Sequence, residues 1–185
     1  MSVQLSTPKP APSSASHEQS AARLIPRDGG TLADLDGFGI HWKIDGLETG
    51  KRFSVVHHPM APRHLAAPLH RHHREDEYSY VLSGRMGALL GDEVVVAEAG
   101  SWVFKPRGQW HSFWNAGDVP CEIIEVISPA GFEDYFRELA AIWPDLSKAG
   151  PILAKYELDL DPTSVPLLCQ RFGLVSGVPT PATGG

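Results

Sequence analysis

The sequence predicts an all-β core, a sandwich or barrel of short antiparallel strands, with helices after it and an unstructured leader before it. Three observations carry that prediction. Between residues 38 and 128, short apolar or alternating runs are broken by turn residues about every 8 to 12 positions. After Pro129 the apolar residues change to helical spacing. Residues 1–30 are dominated by Ser, Ala and Pro, with alternating Pro8, Pro10 and Pro12 and no hydrophobic period.

The leader is therefore expected to be disordered over 1–30, with a barrel or sandwich over 31–130, a helical extension over 131–172 and a flexible tail over 173–185. Gly39 to Ile44 and Arg52 to Val56 flank the turn material Asp45-Gly46 and Thr49-Gly50, as a hairpin would. Tyr78 to Leu82, Met86 to Leu90 and Val94 to Ala97 follow, separated by Ser83-Gly84 and Gly91-Asp92. Trp102 to Phe104 precedes Pro106-Arg107-Gly108, Trp110 to Trp114 precedes Asn115-Ala116-Gly117, and Cys121 to Ile127 closes the series. In the extension, Phe132, Tyr135, Phe136, Leu139 and Ile142 share a helical face that Trp143-Pro144 ends. Weaker helical runs are expected near 147–157 and 162–172, the last capped by Asp161 with Pro162 at its first position. Their expected role is to cover one sheet face or the barrel mouth.

Composition excludes several classes of function. The 185 residues allow one domain of ordinary size. Sixteen Lys and Arg against 22 Asp and Glu give a formal charge of −6, which is the wrong sign for a nucleic-acid footprint or a polybasic membrane surface. No apolar run is long enough to span a bilayer and no signal-peptide core is visible, so a cytoplasmic protein is expected. Cys121 and Cys169 stand far apart, outside any CxxC arrangement, which points away from thiolate zinc sites and disulfide frameworks.

Histidine is the unusual residue: six of the nine, His57, His58, His64, His70, His72 and His73, fall within 17 positions. In extended chain His70 and His72 point to one face. Glu77 follows five residues after His72, and His111 sits on a later strand that closure of the sheet can bring to the same point. Three imidazoles and a carboxylate suit Fe, Mn, Ni, Co, Cu or Zn rather than Ca or Mg. Spacing alone leaves each of these histidines open to an ordinary structural role.

The wider pattern resembles a known family. His70-x-His72, four residues, Glu77, six residues and Gly84 resemble the first cupin motif. Gly100, five residues, Pro106-x-Gly108, two residues, His111, three residues and Asn115 resemble the second at every defining position. One place departs: where the first motif opens with Gly, this chain has His64, which affects a turn rather than a ligand. The resemblance implies a cupin double-stranded β-helix, or jelly-roll barrel, with C-terminal helices. It implies one divalent transition metal, Fe, Mn or Ni first and Zn, Co or Cu as alternatives, held by His70, His72, Glu77 and His111.

By strand alternation Ser79 and Val81 share the face of Glu77, and Phe113 and Asn115 that of His111, so these four are expected in the substrate pocket. His73 is expected to face outward, one of His57 and His58 inward, and Arg71, Arg74, Glu75, Asp76 and Arg107 to lie in solvated loops. The function implied is that of a metal-dependent oxidoreductase, a quercetinase-like dioxygenase acting on a small aromatic or enolisable substrate, with Glu77 as the catalytic base. Cupins also include isomerases, decarboxylases and non-enzymatic binding or sensing proteins. A small-molecule ligand and a homodimer are the expected partners, with no nucleic acid and no membrane.

Overall fold

The computed structural model describes residues 21–178, so most of the expected leader and the end of the expected tail lie outside the described residues. The strands are β1 (Leu32–Asp34), β2 (Gly39–Ile44), β3 (Ser54–Met60), β4 (Leu69–His72), β5 (Asp76–Ser83), β6 (Arg85–Leu90), β7 (Glu93–Glu98), β8 (Trp102–Lys105), β9 (His111–Asn115), β10 (Cys121–Ser128) and β11 (Leu158–Asp161). The helices are α1 (Glu133–Ile142), α2 (Ala149–Lys155) and α3 (Ser164–Phe172).

Two antiparallel sheets face each other, in the orders β1-β2-β3-β10-β5-β8 and β11-β4-β9-β6-β7. Neighbours in space are mostly remote in sequence, which is the crossing pattern of a jelly roll. The alternation read from the sequence survives along β10, where Cys121, Ile123, Glu125 and Ile127 are buried and the residues between them are half-buried. Their apolar members join Ile40, Val56, Val81, Met86 and Phe113 in the core between the sheets. On the outer face of the larger sheet Trp102 and Phe104 are exposed, each packed against a tyrosine of β5.

β9 is buried along its whole length, because its outer side is covered too. Trp114 stacks on Phe172 of α3 with ring centroids 4.4 Å apart, and Leu65, Val165, Leu168 and Leu174 complete a second cluster. Gly87 on the neighbouring β6 makes room for that indole: a Cβ there would lie 2.2 Å from Trp114 Nε1.

The C-terminal part departs from expectation in three ways. The helical extension contains a strand, β11, which pairs with β4 from Leu158↔His72 to Asp161↔Leu69 and thereby borders the histidine-bearing strand. Asp161 ends that strand instead of capping a helix; its Oδ1 accepts from the Thr163 amide at 2.9 Å. Residues 173–178 are also tied down rather than flexible: Val175 exchanges backbone hydrogen bonds with the 63–65 segment and Leu174 is buried. At the other end, residues 21–30 contain no helix or strand, but Lys43 Nζ donates to the Gly29 carbonyl at 2.8 Å and Arg23 pairs with Glu48. Among the described residues no helix is long and apolar enough to cross a membrane.

Candidate metal centre and cavity

Alternation on the short β4 turns both His70 and His72 inward, and the pairing of β4 with β9 sets His70 opposite His111. Glu77 enters from β5 in the facing sheet. One ligand atom from each of the four residues lies within 4.8 Å of the others, and all four residues are buried. The expected set thus converges on one point.

The hydrogen bonds around the cluster prepare it for a cation. His70 Nδ1–H donates to the Pro68 carbonyl at 2.9 Å and His111 Nδ1–H to the Gln109 carbonyl at 3.0 Å. In a neutral imidazole so fixed, Nε2 carries a lone pair and points the other way. His111 Nε2 lies 3.2 Å from Glu77 Oε2. His72 Nε2 is 3.5 Å from Glu77 Oε1, and neither of its ring nitrogens has a hydrogen-bond partner. Buried polar atoms left unpaired cost about 1–3 kcal/mol each. A single divalent ion supplies the partner that these lone pairs lack, so the donor set fits a transition metal.

Behind Glu77 lies a feature that the sequence reading missed. Lys105 is fully buried, its Nζ 3.0 Å from Glu77 Oε2 and 2.8 Å from Glu125 Oε2. Ser79 Oγ donates to the same Glu125 carboxylate at 2.9 Å, and Phe113 presents its ring to Lys105 Nζ at 4.5 Å. Burial pulls Lys105 down, but the two carboxylates outweigh it and hold the ammonium above its ordinary range. Burial pushes Glu77 up, yet the Lys105 ammonium beside it holds it well below the usual carboxylate range. Glu125, although bonded to Lys105, is pushed up to about 7 by burial, with the Glu77 charge adding to the rise.

The cluster opens on a cavity of about 890 Å³. His70, Glu77, Glu125 and Phe113 belong to its wall, and its roof is the apolar face of α1 with Phe132, Tyr135, Phe136 and Leu139. Residues of the α2 region and of β11 complete it. The helices therefore shape the space above the His70, His72, Glu77 and His111 cluster in addition to covering the barrel.

Of the four expected pocket residues, Phe113 lines this cavity and three do not. Ser79 supports Glu125, and Val81 is packed in the core. Asn115 is buried two residues farther along β9, where its Nδ2 donates to the carbonyls of Met60, Ala61 and Val119 and its Oδ1 accepts from the Gly117 amide. Alternation specifies the face of a strand but not the depth along it.

Among the other histidines, His73 points outward to Asp159, whereas both His57 and His58 are buried. His57 pairs with Glu122 on the outer side, and His58 and His64 belong to the cavity wall. Glu75, expected in a solvated loop, is buried with Oε2 3.8 Å from His72 Nδ1, and burial pushes it up to about 7. Asp76 and Arg107 pair with each other at 2.7 Å, and Arg71 pairs with Asp159.

Burial also fixes the charge of the interior histidines. It lowers His58 and His72 to about 4 and His70 well below its ordinary value, so all three are neutral in the folded protein near pH 7. Unfolded histidine takes up a proton near 6.5. The stability these groups contribute is present above that pH and is lost as pH falls from about 6.5 toward 4. Glu75 and Glu125, raised to about 7, take up protons over the same window and offset part of this loss. Urea denaturation of metal-free protein is therefore expected to show the midpoint falling below pH 6.5 by less than the three histidines alone would give; a midpoint that rises down to pH 4.5 would contradict this assignment.

Comparison with known proteins agrees with the geometry. Residues 56–127 match the family model described as a cupin domain. Over 98 residues the chain is 32% identical to mannose-1-phosphate guanylyltransferase 2 of Escherichia coli O157:H7, a match covering 52% of this chain and 20% of that protein. It is 35% identical over 60 residues to the tetracenomycin polyketide synthase protein TcmJ of Streptomyces glaucescens, covering 32% of this chain and 40% of that one. The chain spans about a fifth of the length of the first of these relatives. Among solved structures, KdgF from Halomonas sp. superposes with a TM-score of 0.53 at 16% identity, over 60% of this chain and 96% of that one. A predicted oxalate decarboxylase from Thermotoga maritima gives 0.53 at 20% identity, over 58% and 99%. At these identities the structures show a shared fold.

Proposed function

We propose that this chain, whose residues 56–127 match the cupin-domain family model, is a cytoplasmic metal-dependent oxidoreductase, specifically a dioxygenase acting on a small aromatic or enolisable substrate. The observation that carries the reading is the convergence of His70, His72, Glu77 and His111 within 4.8 Å at the wall of a large apolar cavity. Fe, Mn or Ni is the preferred metal, and bound there it would supply Lewis acidity toward a substrate oxygen and access to dioxygen.

The protein's own groups divide the remaining work. The aromatic roof from α1 holds a flat apolar body and excludes water. Glu77 has two oxygens, and one of them takes the proton that a substrate hydroxyl or enolisable carbon releases. Lys105 fixes the orientation of that carboxylate through its 3.0 Å contact. Glu125 and Ser79 hold Lys105 in place from behind.

The test is an oxygen-electrode assay of Fe-, Mn- and Ni-loaded protein with a flavonol and a β-diketone. Dioxygen uptake matching substrate loss is expected in metal-loaded wild type and absent in Glu77→Gln. Substrate loss without dioxygen uptake would replace this reading by an isomerase or decarboxylase on the same site. Saturable binding without turnover would replace it by a binding or sensing protein.

We include a homodimer in the proposal. Trp102 and Phe104 on the edge strand β8, 61% and 51% exposed, offer an apolar outer face to a second copy. Sedimentation velocity at micromolar concentration is expected to show a species of twice the 20.1 kDa chain mass; a monomer at every concentration would contradict it.

A further inference from the structure

The geometry points to His58 as a second anchor in the cavity: a hydrogen-bond acceptor that selects ligands carrying a hydroxyl or N–H donor on an otherwise apolar body. This rests on reading the cavity as the substrate site, and it does not depend on the metal.

His58 lies on β3, is 1% exposed, and forms part of the cavity wall. Its Nδ1–H donates to the Gly39 carbonyl at 2.9 Å, which fixes the tautomer and leaves the opposite nitrogen, Nε2, as a bare lone pair. Among the described residues Nε2 has no hydrogen-bond partner. The ring cannot swing to find one. It is stacked on Phe38 with centroids 4.6 Å apart, and Phe136 of α1 meets it edge-on at 5.3 Å. Burial holds the ring neutral, with its proton affinity lowered to about 4, so near pH 7 Nε2 accepts and does not donate.

The carboxylates of the cavity wall already have partners. Glu125 is engaged by Lys105 and Ser79, and His70 and Glu77 belong to the metal cluster. His58 stands apart from that cluster: on the β10 ladder it registers with Ile123, whereas Glu77 registers with Ile127. A substrate with one oxygen at the metal end thus reaches His58 with a donor at a different point on its frame, its apolar body between Phe113 and the α1 aromatics. An acceptor held unpaired in an apolar wall discriminates strongly, because a ligand that lacks the donor leaves it desolvated and unsatisfied.

The test uses two probes of equal shape, 2-naphthol and 2-methoxynaphthalene, titrated by fluorescence into full-length protein with metal bound and after chelation. Wild type is expected to prefer 2-naphthol by about tenfold in both forms, the size of one buried hydrogen bond. His58→Phe, which keeps the ring volume, is expected to lose the preference while still binding 2-methoxynaphthalene, and His58→Gln, which restores an acceptor, to regain part of it. The inference is overturned if His58→Phe keeps the preference, if the preference vanishes on chelation, or if neither probe binds saturably. A preference that depends on His58 in metal-free protein upholds it even if no dioxygen is consumed, so the two readings fail separately.

Discussion

Replacing Lys105 with methionine is expected to destabilise the metal-free protein by about 3–5 kcal/mol, the usual consequence of removing one member of a buried charge cluster. The substitution keeps most of the aliphatic stem, so the loss reports on the ammonium and its contacts with the carboxylates and the Phe113 ring. Glu77 and Glu125 would then be buried without the ammonium that now lies within 3.0 Å of both. A divalent ion at the cluster neutralises Glu77 by another route, so metal loading is expected to recover a substantial part of the deficit. Urea denaturation in chelator and in excess metal measures both quantities. A loss below about 1 kcal/mol in chelator, in the range of exposed ion pairs, would show that the network contributes little to the fold.

The second large effect is stabilisation by the metal itself. An ion that binds only the folded state adds about 4 kcal/mol when its free concentration is a thousand times the dissociation constant. For a chain of this size that corresponds to a rise in melting temperature of roughly 8–16 °C. The rise is expected on adding Fe(II), Mn(II) or Ni(II) to chelated wild type and to be absent in the His70→Ala/His111→Ala variant. An equal rise in the variant would place the responsible ion elsewhere on the molecule.

Much of the barrel was readable because period-two alternation survives wherever one sheet face is buried and the other is not, as along β10 and β5. The cluster of His70, His72, Glu77 and His111 was readable because two of its members sit on one short strand and the others follow at characteristic spacings. β11 was hidden: Leu158-Asp159-Leu160-Asp161 is only four residues long and lies between two helical runs, so its alternation competes with a stronger helical period. Lys105 and Glu125 carried a signal that could have found them. Each occupies an inward phase, Lys105 with Val103 and Glu125 with Ile123 and Ile127, and a charge in that phase on two strands implies that the two meet. Asn115 shows the opposite limit: alternation puts it on one face with Phe113, but does not say how far along β9 the cavity extends. The role of α1 in the cavity was unreadable because helical spacing reveals an apolar face but not what it faces.

His70, His72, Glu77 and His111 are expected to form one metal centre. Elemental mass spectrometry of protein prepared without a polyhistidine tag tests it most directly, on wild type and on His70→Ala/His111→Ala. The expected result is about one Fe, Mn, Ni, Co, Cu or Zn ion per chain in wild type and under about a tenth in the variant, a cluster stripped of two of its four ligands. Wild-type protein that carries no such metal, and takes none up when each is supplied, would contradict it.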